Sequence, residues 1–280
     1  MIVLLVALLL AGCARHSESG KADHERIISL APSLTEMVCA VGGADSLVGR
    51  TTACDYPSDI VSHIPVVGGF GAPSLEVMLA LKPTCILYVD LDDKSLSQKM
   101  DSVGLSHALI PCKTLDDIPR AVLAIGGYVH RETAARGLAD KLMSGLTALR
   151  GTTLTNRPSV FVEIWSDPLM TAGKMSFVSE LVRLAGGRNI GDEMEKDYAQ
   201  VSSEWVVSRK PDIVLCFGTP AKGEGRKAVL SRAGWAEIPA VRNGRVYDKL
   251  STDVLTRPGP RVLDGIEELR ACISNERKAE

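Results

Sequence analysis

Apolar residues along the chain occur in two patterns: short continuous runs, and longer stretches in which they recur every three or four positions. The runs at residues 26–30, 85–89 and 160–164 are bounded by turn-forming residues, which is typical of buried β-strands. Residues 31–41 and 74–81 have helical spacing and are followed by Gly-Gly or Lys-Pro. This alternation of strands and helices predicts an α/β fold with mainly parallel sheets.

The second half of the chain repeats the pattern of the first. Glu76 and Glu204 each lie seven residues before the proline of a Lys-Pro pair, and an apolar run follows each pair. Residues 35–43 and 179–187 form a second match, in which a helical stretch ends at Gly-Gly. Strand-helix units resemble one another in many proteins, but the shared offsets favour an internal repeat. We therefore predict two lobes built on one plan.

Between the two halves the pattern changes to that of one long helix. Apolar residues recur at steps of three and four across residues 118–149. A helix of about 34 residues would be roughly 50 Å long, which suits a spacer between lobes. A break at residues 126–127 is the alternative, since each glycine costs about 1 kcal/mol in a helix interior. The predicted order is an N-terminal lobe at residues 26–112, a connecting helix at 113–150 and a C-terminal lobe at 157–275, with a ligand cleft between the lobes.

The N-terminus carries an apolar run that is too short to cross a membrane. Residues 2–11 are uncharged, whereas a membrane-spanning helix needs about 20 apolar residues. The run ends at Leu-Ala-Gly-Cys, which resembles the bacterial lipobox and implies that Cys13 is acylated. We expect a signal peptide at 1–12 and a lipidated tether at 13–25, which would anchor an exported protein to a bacterial membrane, facing the periplasm or the cell exterior. An ordinary signal peptide and a buried N-terminal strand are the alternatives.

Charge and cysteine content exclude several kinds of partner. The chain has 32 Lys and Arg against 34 Asp and Glu, a balance that gives no electrostatic reason to expect nucleic acid. Apart from Cys13, six cysteines occur without a Cys-x-x-Cys pair or the Cys and His spacing of a zinc site, so no metal site is expected. Their even number leaves disulfides open, but the sequence does not give a pairing.

Catalytic motifs are not found in the sequence. It contains no Gly-x-Ser-x-Gly nucleophile elbow, no phosphate-binding glycine loop and no His-Glu-x-x-His motif. The five histidines lie in the tether, in a loop or near regular elements, where structural roles are commoner than catalytic ones. We therefore expect a binding protein with no catalytic residues and no cofactor, rather than an enzyme.

Glu76 and Glu204 are candidate docking residues. Each lies in the first turn of a helix after a serine, where the helix dipole favours a carboxylate by about 0.3–1 kcal/mol. That stabilisation is enough to explain either residue alone. If the lobes are related by a pseudo-twofold axis, however, the two carboxylates form equivalent anionic points on one rim, which suits a symmetric partner carrying Arg or Lys.

Four aromatic residues are candidates for the ligand cleft. Phe70 and Tyr198 each lie six residues before the glutamate of their lobe, so both rings are expected to face the cleft. Trp165 ends the first strand of the second lobe, and Tyr56 lies in an Asp-Tyr-Pro turn. Together they would supply flat apolar surfaces suited to a large planar ligand, although any one of them could instead lie in the core.

Short motifs in order along the chain carry a family resemblance. They lie at residues 28–36, 54–57, 75–83, 171–173, 185–190 and 257–261. They resemble the helical-backbone substrate-binding proteins of metal-chelate ABC importers, and most closely the members that bind cobalamin or related corrinoids.

The resemblance assigns roles to particular positions. By this resemblance, Glu76 and Glu204 match the carboxylates that dock on arginines of the permease dimer. Asp253 and Arg257 match polar residues of the ligand pocket. Phe70 and Tyr198 stand where cobalamin binders have tryptophan, which is a departure from the family pattern.

The resemblance implies a receptor that captures a corrinoid in the cleft and delivers it to an importer made of a permease dimer and its ATPase. Haem or a ferric siderophore is the alternative ligand within the same class. Tyr56 or Tyr198 could ligate haem iron, and Arg50, Lys174 and Arg257 could pair with an anionic chelate. Functions of other classes are an exported hydrolase, for which a nucleophile and base are missing, and a structural surface lipoprotein.

Overall fold

Two separate β-sheets, one in each half of the chain, organise the fold. The computed structural model describes residues 25–90, 95–152, 157–218 and 224–274, so Cys13, the predicted signal peptide and most of the tether lie outside the described residues. The strands are β1 (Ile27–Ser29), β2 (Leu47–Arg50), β3 (Gly68–Gly69), β4 (Ala72–Pro73), β5 (Cys85–Tyr88), β6 (His107–Leu109), β7 (Ser159–Ser166), β8 (Leu169–Ala172), β9 (Arg188–Asn189), β10 (Tyr198–Gln200), β11 (Ile213–Cys216) and β12 (Val246–Tyr247). The helices are α1 (Pro32–Ala40), α2 (Ser58–Val61), α3 (Leu75–Ala80), α4 (Ser95–Ser102), α5 (Asp117–Tyr128), α6 (Glu132–Arg150), α7 (Phe177–Leu184), α8 (Ser203–Arg209), α9 (Glu224–Ser231), α10 (Pro239–Arg242), α11 (Thr252–Thr256) and α12 (Val262–Ile273).

The sheet of the N-terminal lobe has the order β2-β1-β5-β6, and every pair is parallel. In the C-terminal lobe β7 pairs in parallel with β9 and β11, and β11 pairs in parallel with β12. Strands β8 and β10 extend this second sheet on the other side of β7, and both of their pairings are antiparallel. The prediction of a two-lobe α/β fold with mainly parallel sheets is confirmed, and the antiparallel extension is a feature that the sequence pattern did not predict.

The two lobes share one hydrophobic core. A continuous cluster of buried side chains includes Leu34 on α1, Ile125 on α5, Leu142 on α6, Leu181 on α7 and Ile266 on α12. Two smaller clusters each belong to one lobe. The main cluster takes residues from both lobes. The lobes are therefore held together by side-chain packing in addition to the covalent chain.

The prediction of a single connecting helix over residues 113–150 is wrong, because two helices, α5 and α6, occupy this stretch. Between them His130 adopts a left-handed conformation with a φ of 52°. The backbone amide of Arg131 donates to the carbonyl of Gly126 at 2.8 Å, which closes the turn after α5. The chain therefore changes direction at this turn instead of continuing as one helix.

Helices α5 and α6 are antiparallel, and α6 reaches from one lobe to the other. Arg150, at the end of α6, donates from Nη1 to Oδ1 of Asp116, just before α5, at 2.7 Å. At the other end of α6, Arg131 donates from Nε to the carbonyl of Gly42 in the N-terminal lobe at 3.0 Å. Arg150 also donates to Glu180 of α7 in the C-terminal lobe at 3.2 Å. The 19 residues of α6 form a spacer about 28 Å long.

The apolar spacing does not distinguish one helix from two, because both helices bury their apolar faces in the same core. Ile125 on α5 and Leu142 on α6 belong to one cluster, so the periodicity continues across the turn. Gly126 allows the helices to approach closely, since a Cβ placed there would lie 2.3 Å from the Cβ of Ala135. A side chain at this position would push α5 and α6 apart.

Substitutions of the two neighbouring glycines should therefore have opposite effects on stability. Gly126→Ala is expected to lower the free energy of unfolding by about 1–3 kcal/mol, because the new methyl group overlaps Ala135. Gly127 is the matched control, since no atom lies within 4 Å of a Cβ placed there. Gly127→Ala should raise the free energy of unfolding by about 0.5–1 kcal/mol. Urea denaturation measures both, and equal midpoints would contradict close packing at Gly126.

Candidate functional site

The internal repeat places the same local structure in both lobes. Ser74 and Ser202 cap α3 and α8, and each hydroxyl accepts the amide of the third helical residue, at 3.3 Å and 3.2 Å. After the helices, Lys82 and Lys210 both adopt a left-handed conformation with a φ of 46°. In each lobe a proline and then a central parallel strand follow, so the Lys-Pro pairs of the sequence mark equivalent turns.

Glu76 lies at the carboxyl edge of the N-terminal sheet, where strands β1, β2, β5 and β6 end. The guanidinium of Arg26, just before β1, donates to the carbonyls of Leu81 and Lys82 at 2.6 Å and 3.0 Å. The end of α3 is therefore beside the start of β1. Because α3 runs back against the strand direction, its first turn and the exposed Glu76 lie at the opposite edge.

Glu204 has the equivalent position in the C-terminal lobe. Asp212, which follows α8, accepts hydrogen bonds from the amide and hydroxyl of Ser159 at 2.8 Å and 2.7 Å, so α8 ends beside the start of β7. The exposed Glu204 in the first turn consequently lies at the carboxyl edge of this sheet. Its own backbone amide and the Ser202 hydroxyl hold the pKa of the Glu204 carboxyl below its usual range.

Trp165 and Tyr198 share one face of the antiparallel extension of the C-terminal sheet. Trp165 pairs with Met170 across β7 and β8, and Met170 pairs with Gln200 across β8 and β10. Directly paired residues point to the same side of a sheet, as do residues two apart in a strand. Trp165, Met170 and Gln200 therefore share one side, and Tyr198, two residues before Gln200 in β10, is on that side too. Trp165 is 53% exposed and Tyr198 is 42% exposed. The indole Nε1 of Trp165 donates to the Asp167 carbonyl at 2.8 Å, which holds the ring in place.

Phe70 lies at the tip of the β3-β4 hairpin in the N-terminal lobe. Its side chain is 47% exposed, and Gly71 beside it has a φ of 80°, a conformation that glycine adopts without strain. The hairpin leads directly into α3, as β10 leads into α8, so Phe70 and Tyr198 hold corresponding places in the two lobes. That they face one another across a cleft remains a prediction.

The segment between β12 and α12 crosses to the N-terminal lobe through Arg257. Its guanidinium donates to both carboxylate oxygens of Asp55, at 2.5 Å and 3.1 Å, and is 3.1 Å from the carboxylate of Asp253. The bidentate bond to Arg257 holds the pKa of the Asp55 carboxyl below its usual range. The backbone carbonyl of the next residue, Pro258, accepts a hydrogen bond from the Cys112 thiol at 3.1 Å. Arg257 is therefore bound to carboxylates of the protein on two sides.

A second bidentate pair joins the lobes beside the first. Arg261 donates from Nε and Nη2 to the two carboxylate oxygens of Glu36, both at 2.8 Å. The same guanidinium lies 3.7 Å from the centre of the Tyr56 ring, a cation-π contact. These two ion pairs place three of the predicted ligand residues at the junction of the lobes, namely Tyr56, Asp253 and Arg257.

The sequence patterns did not single out Asp55, Glu36 or Arg261 as site residues. All three lie within motifs that carry the family resemblance, but their pairing joins positions 202 and 225 residues apart, which no local periodicity reveals. Glu36 is only 4% exposed, so its charge requires a partner in the fold. A glutamate among the apolar residues of α1 was the one signal in the sequence.

The three cations considered for an anionic chelate all bind oxygen atoms of the protein. Arg50 donates to the backbone carbonyls of Thr51 and Cys54 in the loop after β2, and to that of Val61 at the end of α2 at 2.6 Å. Lys174 pairs with Glu195 at 2.5 Å. With Arg257 bound as described above, each of these cations is already paired with the protein.

A cavity of about 500 Å³ lies elsewhere, between the C-terminal lobe and the segment that precedes α5. Lys113 and Thr114 line it from the first half of the chain, and residues 174–177 line it from the second. The six predicted ligand residues are not among those that line it.

The described cysteines and acidic residues offer no other site. All six cysteines in the described ranges are thiols, five of them buried. Within those same ranges no group of His, Cys, Asp and Glu is placed to hold a metal ion. The helices that the structure describes include none long and apolar enough to cross a membrane.

Residues 27–250 match the family described as periplasmic binding protein, and the chain belongs to this family. The fold and the equivalent rims of its lobes are thus those of a solute-binding protein, not of an enzyme. Members of this family act as the substrate-binding component of ABC importers, which also contain a permease and an ATPase.

Three similar proteins illustrate the relationship. YvrC of Bacillus subtilis (strain 168), described as an uncharacterized ABC transporter substrate-binding lipoprotein, is 30% identical over 97% of this chain and 95% of its own. The periplasmic vitamin B12 binding protein BtuF of Vibrio cholerae is 30% identical, with a TM-score of 0.78 over 90% of this chain and 97% of that chain. The periplasmic heme-binding protein RhuT from Roseiflexus sp. RS-1 has a TM-score of 0.80 at 24% identity, over 90% of this chain and 98% of that one. At that identity RhuT shows the fold alone.

The buried charge of Glu36 leads to a stability prediction. Arg261→Met should lower the free energy of unfolding by about 3–5 kcal/mol, because it leaves the Glu36 carboxylate buried without its partner. The double variant Glu36→Leu/Arg261→Met is the control and should recover most of the loss, since it removes both charges. Chemical denaturation followed by circular dichroism measures both. A double variant as unstable as the single one would assign the loss to the stacking of Arg261 on Tyr56 instead.

Proposed function

We propose that this chain is a lipid-anchored receptor that binds cobalamin or a related corrinoid and delivers it to its ABC importer. The observation that carries the proposal is the exposed aromatic face of Trp165 and Tyr198 at the C-terminal sheet, which suits a large planar ligand. Tyr56 and the polar residues Asp253 and Arg257 complete the proposed pocket at the junction of the lobes. The 30% identity to a vitamin B12 binding protein over nearly the whole chain supports the same ligand class.

Haem and ferric siderophores are the alternative ligands, and the charges of the site favour them less. The candidate cations for an anionic chelate are paired within the protein. Burial and the neighbouring Asp197 carboxylate raise the pKa of the Tyr198 hydroxyl, which disfavours the phenolate form that binds ferric iron. One face of the Tyr56 ring is covered by Arg261. A ligand held by apolar contact and by neutral polar groups fits these features better.

The proposed location follows from the N-terminal residues together with the family. Residues 1–12 would be removed as a signal peptide, and Cys13 would be acylated at the start of the tether over residues 13–25. The lipoprotein description of YvrC, a relative along almost the full chain, supports this anchoring. The protein would then face the periplasm or the cell exterior.

The ligand class is tested with the soluble fragment that begins after Cys13. Hydroxocobalamin, cobinamide, haem and a ferric siderophore are added separately, and absorption spectra and heats of binding are recorded. Saturable binding of the two corrinoids with weaker binding of the others supports the proposal. Tighter binding of haem or of the siderophore would replace it with the corresponding alternative.

The aromatic residues should contribute to affinity. Phe70→Ala, Trp165→Ala and Tyr198→Ala are each expected to weaken corrinoid binding by about 1–3 kcal/mol, the loss typical of a buried aromatic contact. Tyr128→Ala is the matched control, because Tyr128 is an exposed ring at the end of α5, near the amino edge. Isothermal titration calorimetry gives the affinities. Wild-type affinity in all three variants would exclude this face as the binding surface.

Glu76 and Glu204 are proposed to dock on arginines of the permease. Replacing both with Ala should reduce complex formation more than tenfold, since each charge-assisted hydrogen bond contributes about 1.5–3 kcal/mol. Ligand affinity should stay nearly unchanged, because both residues occupy the outer rim. Uptake by cells that carry the cognate importer and ligand titration of the purified protein measure the two effects.

Glu132→Ala is the control for this double variant. Glu132 is also an exposed glutamate in the first turn of a helix, but it lies beside the amino edge of the N-terminal lobe. A melting curve corrects for the small loss of helix stability that any of these changes causes. Normal uptake by a folded double variant would leave helix capping as the only role of the two carboxylates.

A further inference from the structure

The charges at the junction of the lobes are unevenly exposed. The side chains of Asp55 and Asp253 are 52% and 57% exposed, whereas that of Arg257 between them is 20% exposed. Beside them, Arg261 and Glu36 form a neutral pair whose side chains are 25% and 4% exposed. A ligand approaching this surface therefore meets two carboxylates before it meets the guanidinium. Counting one Arg257 against two aspartates, the exposed cluster carries a net negative charge.

From this arrangement we propose that Asp55 is a specificity-determining residue that selects ligands with amide groups at the ring periphery over ligands with carboxylates there. The proposal rests on the proposed function only in taking this cluster as part of the ligand pocket. Asp55 occupies two donors of Arg257, so a carboxylate of the ligand gains little from the guanidinium and is repelled by the aspartates. An amide of the ligand instead donates N–H groups to the exposed aspartate oxygens.

This selection separates the candidate ligands by their chemistry. The side chains around the corrin ring of cobalamin are amides, whereas haem carries two propionates and many ferric chelates are anions. The same planar, apolar surface could hold any of these rings. The peripheral groups then decide which ring is retained, and Asp55 sets that preference.

The variant that tests the proposal is Asp55→Asn, which keeps the shape of the side chain and removes its charge. It also releases the Arg257 donors for a carboxylate of the ligand. Asp45→Asn is the matched control, because Asp45 is an exposed aspartate of the same lobe that lies just before β2, at the amino edge. Both variants change the net charge of the protein equally.

The ligand pair is cobinamide, which has amide side chains, and cobyrinic acid, whose side chains are carboxylic acids on the same ring. Wild-type protein and the Asp45→Asn control should prefer cobinamide at least tenfold. Asp55→Asn should reduce the ratio of the affinities for cobinamide and cobyrinic acid at least tenfold, mainly through tighter binding of cobyrinic acid. An unchanged ratio in Asp55→Asn, or a wild-type protein that binds both equally, overturns the proposal.

Two further measurements keep the test decisive. Raising the salt concentration should strengthen the binding of cobyrinic acid to the wild-type protein and leave the binding of cobinamide nearly unaffected. This measurement needs no variant.

If neither corrinoid binds, the proposed function is wrong, and haem and its dimethyl ester become the ligand pair. Preference of the wild-type protein for the ester, lost in Asp55→Asn, then supports the role of Asp55. Preference for haem, or no binding of either porphyrin, overturns it.

Discussion

The buried ion pair between Glu36 and Arg261 is the contact on which the surface between the two lobes depends. A carboxylate that is 4% exposed destabilises the fold unless a cation pairs with it, and here the cation comes from the other lobe. The same guanidinium covers one face of Tyr56, and Arg257 four residues earlier is bonded to Asp55. One short segment after β12 therefore sets both the separation of the lobes and the charge of the surface between them.

The location of this surface follows from parallel strand order. All strands of the N-terminal sheet end at one edge, and the loops that carry Tyr56 and Asp55 begin there. Helices that run back against the strands start at the same edge, which is why Glu76 and Glu204 lie on the rim. Ligands of open α/β sheets generally bind beyond the carboxyl ends of parallel strands, and the proposed ligand residues lie at that edge. The equivalent positions of Glu76 and Glu204 thus arise from a single structural unit used twice.

Sequence could predict what neighbouring residues determine. The central strands β1, β5 and β7, the helix α3 and the equivalence of Glu76 and Glu204 depend on spacing within a few residues, and the sequence predicts them. The reversal of the chain at His130 was not predicted, because helices α5 and α6 bury their apolar faces in one core and so continue one periodicity. The pairs made by Arg257 and Arg261 span most of the chain. The extension through β8 and β10 was missed because strands of three or four residues are too short to show alternation.

The start of the described chain has a mechanical consequence. Strand β1 is flanked by β2 and β5, and just before it the amide of Arg26 donates to the Thr84 hydroxyl at 2.9 Å. Tension applied at this end is directed along β1, roughly across its hydrogen bonds, so the bonds to both neighbours are loaded together in shear. An edge strand under the same tension would share the load with one neighbour only. Such a load therefore enters the lobe at its amino edge, through the strand that has a neighbour on both sides.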